Sequence, residues 1–187
     1  MKIADSTLKN NFLISTLGNS EHKNTLIFVC HQSEYGSMGI ILNQEYNMDL
    51  ATMFEHLQIK MLSSLAKQSV FYGGDVQNAR GFILHPHNEL DNWLSSYQVS
   101  EELSLTSSND VLEAIAAGTG PAKSFVALGY INWGPAELEN QLMDNLWLNC
   151  PVNLDIIFTV APHKKMQAAA QLIGIKLEAL TLYSGKT

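Results

Sequence analysis

The chain is short of positive charge, and of arginine above all. Its 187 residues hold 11 lysines and arginines against 18 acidic residues, a formal net charge of −7. The lone arginine is Arg80, and the lysines are scattered except for Lys164 and Lys165. A grip on phosphate backbones needs a clustered basic face, so direct nucleic-acid binding is not expected. Cysteine is equally sparse: Cys30 and Cys150 lie far apart with no Cys-x-x-Cys spacing, which excludes a thioredoxin-type pair and a zinc knuckle. Long apolar runs are missing too. Leu26 to Cys30 and Phe125 to Leu128 fall far short of the ~18 residues that span a bilayer, and the opening MKIADSTLKNNFLI lacks the apolar core of a signal peptide. A cytoplasmic protein without membrane association is expected.

What is present suits an ordinary folded domain. Hydrophobic residues make up 46% and charged residues 16%, the shortfall in charge being filled by neutral polar residues. A chain of this length buries about 70% of the surface its unfolded form exposes, so no disulfide or metal is needed to hold it together. No repeat, low-complexity tract or linker interrupts it, and one domain over residues 1–187 is expected.

Runs rich in β-branched and aromatic residues predict strands at Phe12 to Ser15, Thr25 to His31, Met38 to Leu42, Val70 to Tyr72, Phe82 to His85, Leu103 to Thr106, Ser124 to Gly129 and Leu154 to Phe158. Most lack alternation, the mark of strands covered on both faces. Asp49 caps a predicted helix whose Leu50, Met53, Phe54 and Leu57 share one face. Ser107 or Ser108 starts a second that ends at Gly118, Gly134-Pro135 a third through Leu138, Leu142 and Leu146, and Pro162 a fourth that stops at Gly174. Strands paired early in the chain favour α+β over a doubly wound sheet. Cys30 closes an apolar run and is expected in the core, with His31 on the opposite face; Cys150, before Pro151 at an element boundary, is expected to be more exposed.

Four segments invite a chemical reading. Gly36-Ser-Met-Gly39 lacks the Gly-Lys-Ser/Thr and Gly-x-Gly-x-x-Gly spacings of phosphate loops and reads as a turn into a buried strand. Gly73-Gly74-Asp75, followed by Arg80, offers exposed amides and a planar cation to an anion, against the plainer reading of an Asp75–Arg80 ion pair holding a turn. His85-Pro86-His87 puts two imidazoles on one face of a strand, but Pro86 ends the strand and no third ligand is placed, so no metal is expected. Tyr130, Asn132 and Trp133 crowd a strand-to-helix connection, either lining a pocket or stapling the helix to the sheet. No nucleophile elbow, His-Glu-x-x-His helix, kinase set or deaminase signature is present.

Taken in order, Phe12-Leu-Ile, Gly36-x-Met-Gly-Ile-Ile-x-Asn43, Gly73-Gly74, Arg80-Gly-Phe-Ile-Leu-His85, Leu128-Gly-Tyr130-x-x-Trp133-Gly-Pro135, Glu137-Leu-Glu139 and Asn145-x-Trp-Leu148 resemble the AlgH/YqgE family of bacterial proteins over nearly the whole chain. Asp75 stands where the family usually has proline, Ile131 and Asn132 where small residues are usual, and Ala136-Glu137 where a Gly-Gln pair is usual. The resemblance implies a single α+β domain with a bent, bifurcated mixed sheet, part of it barrel-like, surrounded by helices. It implies no reaction and no cofactor, since family members are uncharacterised or assigned to transcriptional regulation. The expected protein is therefore a non-enzymatic binding or regulatory protein that meets a protein partner through residues 73 to 82 and 129 to 137, with Gly73, Gly74, Asp75, Arg80, Tyr130, Asn132 and Trp133 as the site. The rival expectation is a small-ligand sensor or enzyme holding an anionic group near Gly73, Gly74 and Arg80.

Overall fold

The computed structural model describes residues 7–62 and 67–177. In chain order its elements are β1 (Asn11–Ser15), β2 (Leu26–Ser33), β3 (Gly36–Ile41), β4 (Glu45–Asp49), α1 (Leu50–His56), β5 (Ser69–Tyr72), β6 (Val76–Pro86), β7 (Ser96–Gln98), β8 (Leu103–Thr106), α2 (Asn109–Ala117), β9 (Phe125–Trp133), α3 (Glu137–Met143), β10 (Trp147–Pro151), α4 (Leu154–Phe158) and α5 (Pro162–Leu172). They fall into two compact units, one from Met1–Asn43 with Ile131–Thr187 and the other Gln44–Tyr130. The class is α+β, as expected, and the sheet is mixed: β5 runs parallel to β9 and the other pairs are antiparallel. Among the described residues no helix is long and apolar enough to cross a membrane.

In the first unit the strands follow the order β10, β1, β2, β3 and the last three residues of β9. Phe12, Leu13, Ile14 and the run Leu26 to Cys30 are buried, as strands without alternation require. Helix α5 covers β1 and β10 with Met166, Ala169 and Ala170. The β2–β3 register jumps between Val29 and His31, and Cys30 sits in this bulge, buried, while His31 is exposed. At Gly36 φ is +132°, and a Cβ there would lie 2.2 Å from the Trp133 carbonyl oxygen. This glycine serves a tight hairpin, not a phosphate.

Three expectations fail in this unit. Leu154–Phe158 is a helix, not a strand: the Asn153 side chain accepts from the Asp155 N–H and starts a turn, overriding the β-branched composition. Helix α3 begins at Glu137 rather than at Pro135, because Ala136 adopts a left-handed φ of +59°; it ends at Met143, leaving Leu146 outside. Cys150 is fully buried, since β10 continues through it and its thiol donates to the Ala169 carbonyl oxygen at 3.1 Å.

The second unit has the strand order β4, β5, β9, β6, β8, β7. Leu50, Met53 and Phe54 of α1 meet Val111, Leu112 and Ile115 of α2 over Val70, Ile83 and Val126 of the sheet. Asp49 caps α1 as its sequence position predicts, accepting from the Thr52 N–H at 2.9 Å. Gly118 ends α2 at φ +78°. Ser108 occupies the N-cap position of α2, but its hydroxyl bonds Asp110 instead of the helix amides.

Candidate functional site

Arg80 lies on β6 in the second unit and is exposed. Its guanidinium is held in place: Nε and Nη2 each donate to the Ser107 carbonyl oxygen at 3.4 Å, and Nη2 donates to Ser107 Oγ at 2.8 Å. Its Cζ stands 5.8 Å from the centroid of the Phe82 ring, and Phe82 in turn meets Tyr130 edge-to-face at 5.2 Å. Among the described residues no carboxylate takes part in this anchoring, and Nη1 is left without a protein partner. Positive charge is thus set at a fixed point on an acidic chain, with no ion pair to it among the described residues.

The guanidinium forms one wall of a cleft of about 390 Å³. Met48, Met53, Leu57, Leu112 and Leu128 supply its apolar lining, and His56, Ser107 and Asn109 its other polar groups. The second-unit core positions these groups: Met53 and Leu112 are the buried stripes of α1 and α2, Leu57 follows α1 half-exposed, and Asn109 opens α2. An apolar floor with a few convergent polar groups in this volume range is the usual form of a ligand pocket. Of its lining residues only Arg80 and His56 are titratable, and among the described residues the Ser107 hydroxyl is hydrogen-bonded to Arg80, not to His56.

Of the residues expected from the sequence, only Arg80 lines this cleft. Gly73 and Gly74 are buried, and the Gly73 amide is already used, donating to the Leu128 carbonyl oxygen at 2.8 Å. A Cβ on Gly73 would lie 2.3 Å from the Gly129 carbonyl oxygen, and one on Gly129 2.1 Å from that of Gly74. These glycines let two backbones cross in contact; they are not an anion cradle with Arg80. Asp75 is exposed and does not pair with Arg80, which Ser107 holds instead. Its charge acts on Tyr72, whose hydroxyl pKa is raised by burial first and by Asp75 next. Tyr130 supports Phe82 under the guanidinium.

Asn132 and Trp133 belong to the first unit. Asn132 is exposed, opposite Met38. Trp133 is not a surface residue: its ring is 2% exposed, stands edge-to-face with Trp147 at 6.3 Å, and its indole N–H donates to Gln141 Oε1 at 3.1 Å. The stapling reading is the one found. In the His85-Pro86-His87 segment, the buried His85 bonds the Pro86 carbonyl oxygen through Nδ1 and Thr106 Oγ1 through Nε2, each at 2.9 Å, so neither nitrogen is open to a metal. Among the described residues no cluster of three or more metal-ligating side chains occurs. Sequence reasoning missed Met48, His56, Leu57, Ser107 and Asn109; Leu57, closing the α1 stripe yet carrying no helix beyond it, was the signal within reach.

A family model described as AlgH-like matches residues 12–178. The chain belongs to the AlgH-like family. Among its relatives is a UPF0301 protein of Thioalkalivibrio sulfidiphilus, 40% identical over 95% of this chain and 96% of that one. A UPF0301 protein of Pseudomonas fluorescens is 40% identical over 98% and 97%. The solution structure of the AlgH protein from Pseudomonas aeruginosa matches this AlgH-like chain over the full length of both, with a TM-score of 0.80 and 35% identity. A crystal structure of a protein from Corynebacterium diphtheriae shares the fold, with a TM-score of 0.68 at 12% identity. These relatives are uncharacterised proteins by name, so they carry the family and the fold but no reaction.

Proposed function

We propose that this AlgH-like chain is a non-catalytic cytoplasmic regulatory protein, and that it acts by receiving an acidic element of a protein partner in the Arg80 cleft. One observation carries the reading: the chain's only arginine is immobilised by Ser107 over Phe82, beside an apolar floor, with no carboxylate among the described residues paired to it. A planar cation with a free donor edge suits a carboxylate, and the methionines and leucines beside it suit an apolar neighbour of that carboxylate. The Ser107 hydroxyl is engaged by Arg80 rather than by the His56 imidazole of the same lining, which favours binding over catalysis. The net charge of −7 disfavours direct DNA contact, so a transcriptional role would run through the partner.

Affinity capture with wild type, Arg80→Ala and Arg80→Glu tests this. Arg80 is exposed, so Arg80→Ala is expected to unfold within about 0.5 kcal/mol of wild type. A partner retained by wild type and lost by both variants supports the reading; equal retention by all three refutes it. The cleft volume favours a second reading, a small anionic ligand, and a thermal-shift screen distinguishes it, since ligand at 100 times its Kd stabilises by about 2.7 kcal/mol.

A further inference from the structure

The chemistry of the Arg80 cleft narrows what kind of acidic element it can take. Its walls come from the Gln44–Tyr130 unit. Met53 and Leu57, four residues apart, stand on one side of α1 and its end, and Asn109 and Leu112, three apart, share one side of α2. The 2.8 Å bond from Arg80 to Ser107 Oγ sets the guanidinium two residues before Asn109, at the start of α2. Gly81 faces Leu128 across the β6–β9 pair, and a Cβ there would stand 3.7 Å from Leu112 Cδ1, so the missing side chain leaves the floor open. Among the described residues, neither Nη1 of Arg80 nor the side-chain amide of Asn109 makes a hydrogen bond within the chain.

The lining holds one permanent cation and no lysine. A phosphate group, with about two negative charges, would keep one of them uncompensated, whereas the edge of a guanidinium matches the two oxygens of a carboxylate. An apolar group must follow that carboxylate at once, because the floor begins beside the guanidinium. In an internal Asp or Glu the acid and the apolar group belong to different residues, and in an extended chain adjacent side chains point to opposite faces. An internal segment also brings in peptide groups on both sides of the acid, each needing a partner. A chain end carries carboxylate and side chain on one Cα and brings in a single last peptide group, for which the Asn109 amide is both donor and acceptor.

We infer that the Arg80 cleft captures the C-terminal residue of a partner protein, one with an apolar side chain such as leucine or methionine. This rests on the partner-binding role proposed above and names the element received. The terminal carboxylate accepts from the free guanidinium edge, the last peptide group meets the Asn109 amide, and the side chain lies on Met53, Leu57 and Leu112.

The test is an NMR titration of the ¹⁵N-labelled full chain with acetyl-Gly-Ala-Leu bearing a free carboxylate. Arg80 is the only arginine, so a single arginine Nε–H signal reports on the site. That signal is expected to move in a saturable way. Three controls are expected to bind at least tenfold more weakly: the same peptide ending in an amide, acetyl-Gly-Ala-Gly with a free carboxylate, and free leucine, whose ammonium replaces the last peptide group. Arg80→Lys, which keeps the charge and loses the planar fork, is expected to weaken the peptide at least tenfold, read from the backbone signals of α2, with an unchanged melting temperature. An arginine signal unmoved up to about 10 mM peptide overturns the proposal, as does equal binding by any of the three controls. Acetyl-Ala-Asp-Leu-amide separates the two levels of the reading. If it binds as tightly as the free-ended peptide, the chain end is wrong and an acidic element at Arg80 stands; if the free-ended peptide still binds Arg80→Ala equally well, both fall.

Discussion

Gln141 on α3 accepts from two indole N–H groups at once, Trp133 at 3.1 Å and Trp147 at 2.7 Å. Both rings are 2% exposed. Gln141→Met keeps the length and most of the packing of the side chain while removing the acceptor, so it strands two donors in the core of the first unit. An unsatisfied buried donor costs about 1–3 kcal/mol, which puts the pair between about 2 and 6 kcal/mol. Gln141 itself is only half-buried, so water can reach its outer side and restore part of the bonding. The lower end, about 2–3 kcal/mol, is the expected loss. With an m-value of about 2 kcal/mol/M, the urea midpoint measured by far-UV circular dichroism falls by roughly 1–1.5 M. Gln141→Glu retains acceptor oxygens and is expected to lose less than the methionine variant. A midpoint shift for Gln141→Met below about 0.3 M, or a larger loss in the glutamate variant, refutes the view that Trp133 and Trp147 are tied structurally through this amide.

Two further predictions concern titratable groups. His85 resists protonation because of burial first, and its Nδ1–H donation to the Pro86 carbonyl offsets this only in part, so its pKa lies below the ordinary 6.5. The unfolded chain therefore takes up this proton first: stability is full above pH 6.5, falls as the pH drops below it, and levels off beneath the folded pKa. Urea titrations between pH 7 and 5 are expected to show that slope, no steeper than about 1.4 kcal/mol per pH unit, and His85→Gln to flatten it. Burial raises both thiols, Cys30 far above the ordinary range and Cys150 to about 11. At pH 8 the thiolate of Cys150 amounts to roughly one molecule in a thousand, so both cysteines are expected to react with a thiol reagent only at the rate of unfolding. Fast native labelling of Cys30 would refute its placement in the core.

The fold was legible where burial and local chemistry point the same way. Leu26 to Cys30 reads as a covered strand because apolar side chains fill both faces, and Asp49 reads as a cap because its carboxylate has an amide to meet three residues on. Strands β4 and β7 were missed for the converse reason. Glu-Tyr-Asn-Met-Asp and Ser-Tyr-Gln are mostly exposed edge segments, strands only because β5 and β8 offer them backbone partners, and no side-chain pattern records that. At Leu154–Phe158 the β-branched composition alone points to a strand, but Asn153 sets a first helical turn, and Ile156 and Ile157 are buried on a helix as readily as on a strand.

The site divides along a different line. Glycines and tryptophans near sheet ends look alike in sequence whether they bind or pack, and what separates them is where their hydrogen bonds and their missing or added volume go. The Trp133 N–H ends on Gln141, the Gly73 N–H ends on Leu128, and the space beside Gly129 is filled by the Gly74 carbonyl, so none has capacity left for a ligand. Arg80 was visible through scarcity alone, but its anchor Ser107 lies 27 residues away and only the fold brings it within reach. The same accounting leaves the outer edge of the Arg80 guanidinium unbonded among the described residues, beside an apolar floor. Unspent bonding capacity held at a fixed and accessible place is what a recognition site needs, and it singles out Arg80 from the aromatic and glycine residues that accompany it in the motif order.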